Sequence, residues 1–105
     1  SPVQDLAAAL DWYALLFGRG PDDRPIPDLA QWYLDGHGFQ VMREPGRAGH
    51  GMATLVVPDI EAERARLAGV GIDTGDIVRG DFGAIARIDD PEGNRITLAE
   101  PPSRG

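Results

Sequence analysis

The sequence predicts an α+β domain of two similar halves, each running strand, helix and then roughly three strands. Three observations predict it. The first is the final stretch, Asp89-Asp90-Pro91-Glu92-Gly93-Asn94-Arg95-Ile96-Thr97-Leu98-Ala99-Glu100, which reads as strand, tight turn and strand. Asp-Pro opens this turn because proline presets φ near about −65°, and Gly-Asn closes it because both tolerate positive φ. The second is a weaker echo, Leu34-Asp35-Gly36-His37-Gly38-Phe39-Gln40-Val41-Met42-Arg43-Glu44-Pro45, which marks an internal repeat. The third is a pair of helices, each opened by an aspartate.

The first helix spans Asp5 to Gly18, from an N-cap to a glycine suited to the left-handed C′ position. Leu6, Ala9, Leu10, Tyr13, Leu16 and Phe17 form its apolar stripe. The second runs from Asp59 to Gly69, with Glu61 and Glu63 in the first turn, where the helix dipole favours negative charge. Strands precede them at Pro2-Val3 and at Met52–Val57. The Pro- and Asp-rich stretch 20–28 reads as a loop. Further strands are expected at Leu29–Leu34, Phe39–Arg43, Ile77–Val78, Gly83–Ile88 and Arg95–Ala99. Gly46-Arg47-Ala48-Gly49-His50-Gly51 reads as a flexible link, which sets the halves at about residues 1–46 and 50–105.

At 105 residues the chain has room for one modest core. A net charge of −7 argues against a nucleic-acid partner, because phosphate-binding surfaces are basic; it favours solubility and neutral or cationic ligands. No apolar run is long enough to span a membrane, and no signal segment is present, so no membrane partner is expected. The absence of cysteine excludes disulfides and thiolate chemistry and fits a cytoplasmic location. The chain opens at Ser1 without methionine, so it is expected to be processed, trimmed or incomplete at this end.

The twin strand–helix–strands order, the pattern Asp5…Trp12-Tyr13…Leu16-Phe17-Gly18 and the final Asp90-Pro91-Glu92-Gly93-Asn94 resemble the vicinal oxygen chelate superfamily. That group holds glyoxalase I, bleomycin-resistance proteins and extradiol dioxygenases. The resemblance covers essentially the whole chain. It implies two βαβββ modules whose curved mixed sheet surrounds a cavity, with helices on the outer face, in a homodimer. It also implies where a divalent metal would sit. The ligand position in the strand entering the second helix falls on Met52, or on Ala53 with a one-residue shift. The glutamate position of the final strand falls on Thr97, and the first-half position on Gln40. The matching place in the first strand lies upstream of Ser1. Gln40 alone is a chemically suitable donor, so the usual metal site reads as lost and no cofactor is expected. His50 is a weak further candidate that reads more simply as a solvent-facing loop residue. His37 reads as a turn residue. Glu100 reads as an edge charge.

Strand parity gives the candidate ligand-binding residues. If Ile96 and Leu98 face the helices, Thr97 faces the other way, and Ile85 and Arg87 follow; the repeat adds Tyr33, Gln40, Met42, Met52 and Thr54. Arg87 either clamps a ligand carboxylate or stacks on an aromatic, or pairs with Asp89 or Glu92 at an edge. Trp32 faces the helices by parity. Phe82 either caps a pocket or anchors its loop. Asp22, Asp23 and Asp28 either attract a cation or belong to a solvated loop.

The leading expectation is a non-catalytic small-molecule binder of the bleomycin-resistance type, sequestering a drug-like or natural-product ligand. The alternative is a metal-dependent lyase, isomerase or dioxygenase of the same superfamily. A metal-free enzyme using Arg87 and Tyr33 ranks last, because neither has a recognisable base. A partner-docking role for exposed sheet edges also stands.

Overall fold

The computed structural model describes residues 1–102. Its element order is β1 (Pro2–Val3), α1 (Leu6–Phe17), β2 (Asp23–Ile26), β3 (Leu29–Leu34), β4 (His37–Arg43), β5 (Met52–Val56), α2 (Ile60–Gly69), β6 (Val78–Gly80), β7 (Gly83–Asp89) and β8 (Arg95–Glu100). Each module is therefore βαβββ, and hydrogen bonding divides the strands into two four-stranded mixed sheets, ordered β1-β4-β3-β2 and β5-β8-β7-β6. The chain forms two compact units. One comprises Ser1–Gly51 with Asp90–Asn94, and the other Met52–Asp89 with β8.

In the first unit, the Asp5 side chain caps α1 by accepting from the Ala8 N–H at 3.1 Å, and Gly18 ends the helix at φ 74°. The predicted stripe delivers Leu6, Ala9, Tyr13 and Leu16 to the interior. Tyr13 and Phe17 then pack on Trp32 and Phe39, with ring centroids 5.1 to 6.2 Å apart. Trp32 is fully buried and donates from Nε1 to the Arg19 carbonyl at 3.0 Å, which satisfies its one polar atom.

Two expectations fail here. The stretch 20–28 contains the strand β2, which pairs antiparallel with β3 through Asp23↔Gln31 and Ile26↔Leu29, with a register shift between. All four of its residues are exposed, so it carries no alternating signal, and Pro25 is tolerated because the strand lies at the sheet edge. His37 is the first residue of β4, paired with Leu34, because the hairpin turns through Asp35-Gly36 alone, with Gly36 at φ 79°. The glycine-rich link begins with a single 3-10 turn over Pro45–Arg47.

In the second unit, parallel β5–β8 and antiparallel β8–β7 pairing sets a continuous register, Ala53↔Ile96 and Leu55↔Leu98 among its pairs. Ala84, Ala86, Ile88, Ile96 and Leu98 are buried beneath α2, with Leu55, Ile60 and Leu67. Asp59 caps α2 through the Ala62 N–H, and the Glu100 carboxylate accepts from the Ile60 N–H at 3.0 Å. Glu100 is thus a helix-capping group, not a free edge charge. Strand β6 starts at Val78 instead of Ile77, and α2 includes Gly69. Phe82 is 55% exposed, so it does not anchor its loop in a core.

Candidate functional site

The faces of the two sheets that point away from the helices carry the polar and apolar groups left over after core formation. In the first unit this face presents Gln31 opposite Gln40, Tyr33 opposite Gly38 and Leu29 opposite Met42. It is a polar surface. The Tyr33 hydroxyl donates to Asp23 Oδ2 at 2.9 Å, with Gln31 Oε1 at 3.2 Å. The hydrogen bond to Asp23 raises the Tyr33 pKa, because ionisation would break it and set two negative charges together. The phenol hydrogen is therefore already committed. Asp22 accepts from the Tyr33 N–H at 2.7 Å and pairs with Arg19 at 3.0 Å; Arg19 and then the Tyr33 amide hold its carboxyl below the usual range. Asp22 and Asp23 thus organise the edge of the sheet.

The second unit differs. Register places Thr54, Thr97 and Arg87 in one row across β5, β8 and β7. The adjacent row is Val56, Ala99, Ile85 and Val78, apolar across all four strands. On the other side lie Met52, Arg95 and Asp89. Met52 is 83% exposed, Val56 66% and Val78 54%, an apolar surface with nothing over it in the second unit. Parity identified Thr54, Thr97, Ile85, Arg87 and Met52 but missed Val56, Ala99 and Val78. The first two share the parity of Thr54 and Thr97 and were legible; Val78 required the β6–β7 register.

The edge-pairing reading of Arg87 fails. Asp89 is engaged by Arg95 at 3.3 Å, and the Glu92 carboxylate accepts from the Gln4 and Asp5 N–H groups at 2.7 and 3.0 Å. Arg87 is exposed and has no carboxylate partner among the described residues.

Metal-donor chemistry is sparse. Among the described residues no three His, Cys, Asp or Glu side chains converge. In the second unit Thr54 and Thr97 offer neutral hydroxyls and Met52 a thioether, donors poorly matched to a hard divalent ion; in the first, Gln40 offers one amide. His50 is exposed ahead of β5, its N–H donating to the Arg47 carbonyl, and His37 is exposed with Nδ1 3.1 Å from the Asp35 carbonyl oxygen.

A cleft of about 380 Å³ lies elsewhere, in the first unit, lined by Val3, Gln4, Asp5, Ala8 and Glu92 among others. Its carboxylates are used up: Asp5 caps α1, Glu92 accepts from the Gln4 and Asp5 N–H groups, and Asp90, which also lines it, is engaged by its neighbours. Beneath it, sequence reasoning missed a buried network. Asp90 accepts from the Tyr13 hydroxyl at 2.8 Å, from the Glu92 and Asn94 N–H groups at 2.9 Å and from Asn94 Nδ2 at 2.8 Å. Asn94 is fully buried and does not adopt positive φ; Gly93 does, at 97°. Asn94 stands in the turn for its side chain, which also donates to the Pro2 carbonyl and accepts from the Gly51 N–H.

Two βαβββ modules with these sheet orders define the vicinal oxygen chelate class of fold. Within it, the chain belongs to the glyoxalase/bleomycin resistance protein family. It is 32% identical to a glyoxalase/bleomycin resistance protein from Catenulispora acidiphila, with a TM-score of 0.86 over 96% of this chain and 93% of that one. It is 26% identical to TnmS3, an antibiotic binding protein from a Streptomyces species, with a TM-score of 0.77 over 96% and 90%. A bleomycin-binding protein solved with bleomycin shares the fold, with a TM-score of 0.78 at 18% identity over 96% and 93%. Neither a family model nor a curated protein matches the chain.

Proposed function

We propose that this protein binds a drug-like or natural-product small molecule without a divalent metal, as a homodimer in the cytoplasm. The observation that carries the reading is the apolar row Val56–Ala99–Ile85–Val78, exposed at its two ends and half-buried at Ala99 and Ile85, beside Thr54, Thr97 and Arg87. Small-molecule sites combine apolar surface with a few polar anchors in this way. The likeness to an antibiotic binding protein supports it. The side chains of Met52, Thr54 and Thr97 in the second unit, and the lone amide of Gln40 in the first, support the metal-free form. Exposed side chains as large as Met52 and Phe82 support association with a second copy. Lack of cysteine supports a reducing compartment.

Elemental analysis of the purified protein tests the reading, together with thermal melts in nickel, zinc, iron or manganese and a screen of planar natural products. The expected result is no stoichiometric metal, no metal-dependent rise in melting temperature and a rise with one or more organic ligands. A ligand at about a hundredfold over its Kd adds about 2.7 kcal/mol, readily seen in a melt. Stoichiometric metal with a large stabilisation would overturn the reading in favour of a metal-dependent lyase, isomerase or dioxygenase. Sedimentation tests the dimer.

A further inference from the structure

We propose that the ligand of the second sheet is an elongated aromatic or otherwise flat apolar molecule carrying one carboxylate, which Arg87 anchors. This deepens the small-molecule reading and rests on it. That sheet carries three arginines, Arg79, Arg87 and Arg95. Arg79 lies on the helix side and pairs with Glu61 at 2.8 Å, with Glu100 at 3.9 Å. Arg95 pairs with Asp89 at 3.3 Å. Arg87 stands between Asp89 and Ile85 on the exposed face and has no carboxylate among the described residues. The carboxylate that by sequence spacing would neutralise Arg87 is thus taken by Arg95, and the guanidinium fork remains available.

Its row completes an oxyanion acceptor. Thr97 lies directly across from Arg87, and Thr54 directly across from Thr97. Neither threonine hydroxyl has a protein partner among the described residues. A guanidinium donates two parallel hydrogen bonds to a carboxylate, and a neighbouring hydroxyl can donate a third. One guanidinium matches one negative charge; the net charge of −7 repels any anion and a phosphate dianion more strongly, so the attraction is local to the Arg87 fork and suits a monoanion.

The apolar row sets the body of the ligand. Val56, Ala99, Ile85 and Val78 cross four strands, and strands about 4.8 Å apart make that row about 14 Å wide. Three fused rings fit along it. The Arg87 row runs parallel, so the carboxylate projects from the long edge of the ring system and not from its end.

The test uses three probes of one shape: anthracene-9-carboxylate, its carboxamide, and the aminomethyl analogue, each titrated into the intact chain by fluorescence. The carboxylate is expected to bind at least about tenfold more tightly than the amide, the scale of one charge-assisted contact. In Arg87→Gln that preference disappears, and the carboxylate binds no more tightly than the amide. Arg87 is exposed, so the variant keeps its melting temperature. Nitrogen–proton spectra are expected to show the carboxylate perturbing the Thr54, Val56, Ile85 and Thr97 amides. Equal or tighter binding of the amide or ammonium probe overturns the carboxylate assignment and leaves small-molecule binding standing. Perturbation centred on Gln31 and Gln40 overturns the location. No binding by any probe overturns the inference, while the natural-product screen decides the parent reading separately.

Discussion

Asn94 occupies both oxygens of Asp90: its N–H donates to Oδ1 at 2.9 Å and its Nδ2 to Oδ2 at 2.8 Å. Both residues are buried, and the Asp90 N–H returns a bond to the Asn94 carbonyl at 2.8 Å. The turn is thereby a closed polar unit within the first module's core. It explains why the Asp-Pro-Glu-Gly-Asn stretch reads so distinctly in sequence: every residue but the proline contributes a bond or a backbone conformation that a substitute lacks.

Truncating that side chain leaves groups stranded. Asn94→Ala removes the partners of the Pro2 carbonyl and the Gly51 N–H and one donor to Asp90, all in part-buried or buried positions. A loss of about 3 kcal/mol is expected, since each unsatisfied buried group costs about 1–3 kcal/mol. Urea denaturation measures it. A loss under about 0.5 kcal/mol, the scale of an ordinary surface substitution, would show that water replaces these bonds freely.

Much of the architecture was legible because its signals are local. Asp5 and Asp59 announce caps, Gly18 a stop, and the alternation through Ile96–Leu98 a strand whose parity sorts core from open face. What failed to show depends on distant partners. Strand β2 exists because β3 offers an edge, not because Asp23–Ile26 has strand character. Asn94 looks like a turn residue until Pro2 and Gly51 arrive from far along the chain. The same division holds for the candidate site. Parity put Arg87 on the open face, but only the structure shows that Asp89 turns to Arg95 and leaves it unpaired.

Two glycines with positive φ separate strain from crowding. Gly83 sits at φ 105°, and a Cβ there would lie 2.1 Å from the Glu100 carbonyl oxygen and 2.8 Å from the Pro102 nitrogen. Backbone cannot rotate away, so Gly83→Ala is expected to cost at least about 3 kcal/mol or to prevent folding of the second unit. Gly36, at φ 79°, has nothing within 4 Å, and Gly36→Ala carries only the conformational penalty, about 1 kcal/mol. Comparing the two denaturation midpoints checks the difference. Equal costs would mean that β7 shifts to relieve the clash.

Alkaline pH should act through Tyr13. Burial first, and then the hydrogen bond and charge of Asp90, raise its pKa far above the usual 10.0. A pKa raised on folding means the folded state keeps its proton where the unfolded chain has lost it. The associated stability is fully present below pH 10.0 and falls as pH rises through the range above it. Tyr13→Phe is expected to lose about 1–2 kcal/mol at neutral pH, from the hydrogen bond left unmade at Asp90, and to show a flatter decline above about pH 10. Melting temperature against pH measures both. An equal slope in the two proteins would assign the alkaline loss to other groups.

At the start of α2, geometry ranks two glutamates that look alike in sequence. Glu61 meets Arg79 at 2.8 Å, but both side chains are more than half exposed, and such pairs contribute little. Glu100 is 26% exposed and accepts from the Ile60 N–H, one of the helix donors that has no partner within α2. Removing a helix-capping acceptor costs about 1 kcal/mol, whereas losing a surface pair costs about a quarter of that. Glu100→Ala should therefore lower the denaturation midpoint clearly, Glu61→Ala barely, and Glu100→Gln should recover most of the loss, because its amide oxygen can still accept. If Glu100→Gln were as damaging as Glu100→Ala, the contribution would lie in the charge facing Arg79 and the helix dipole, and the capping bond would be incidental.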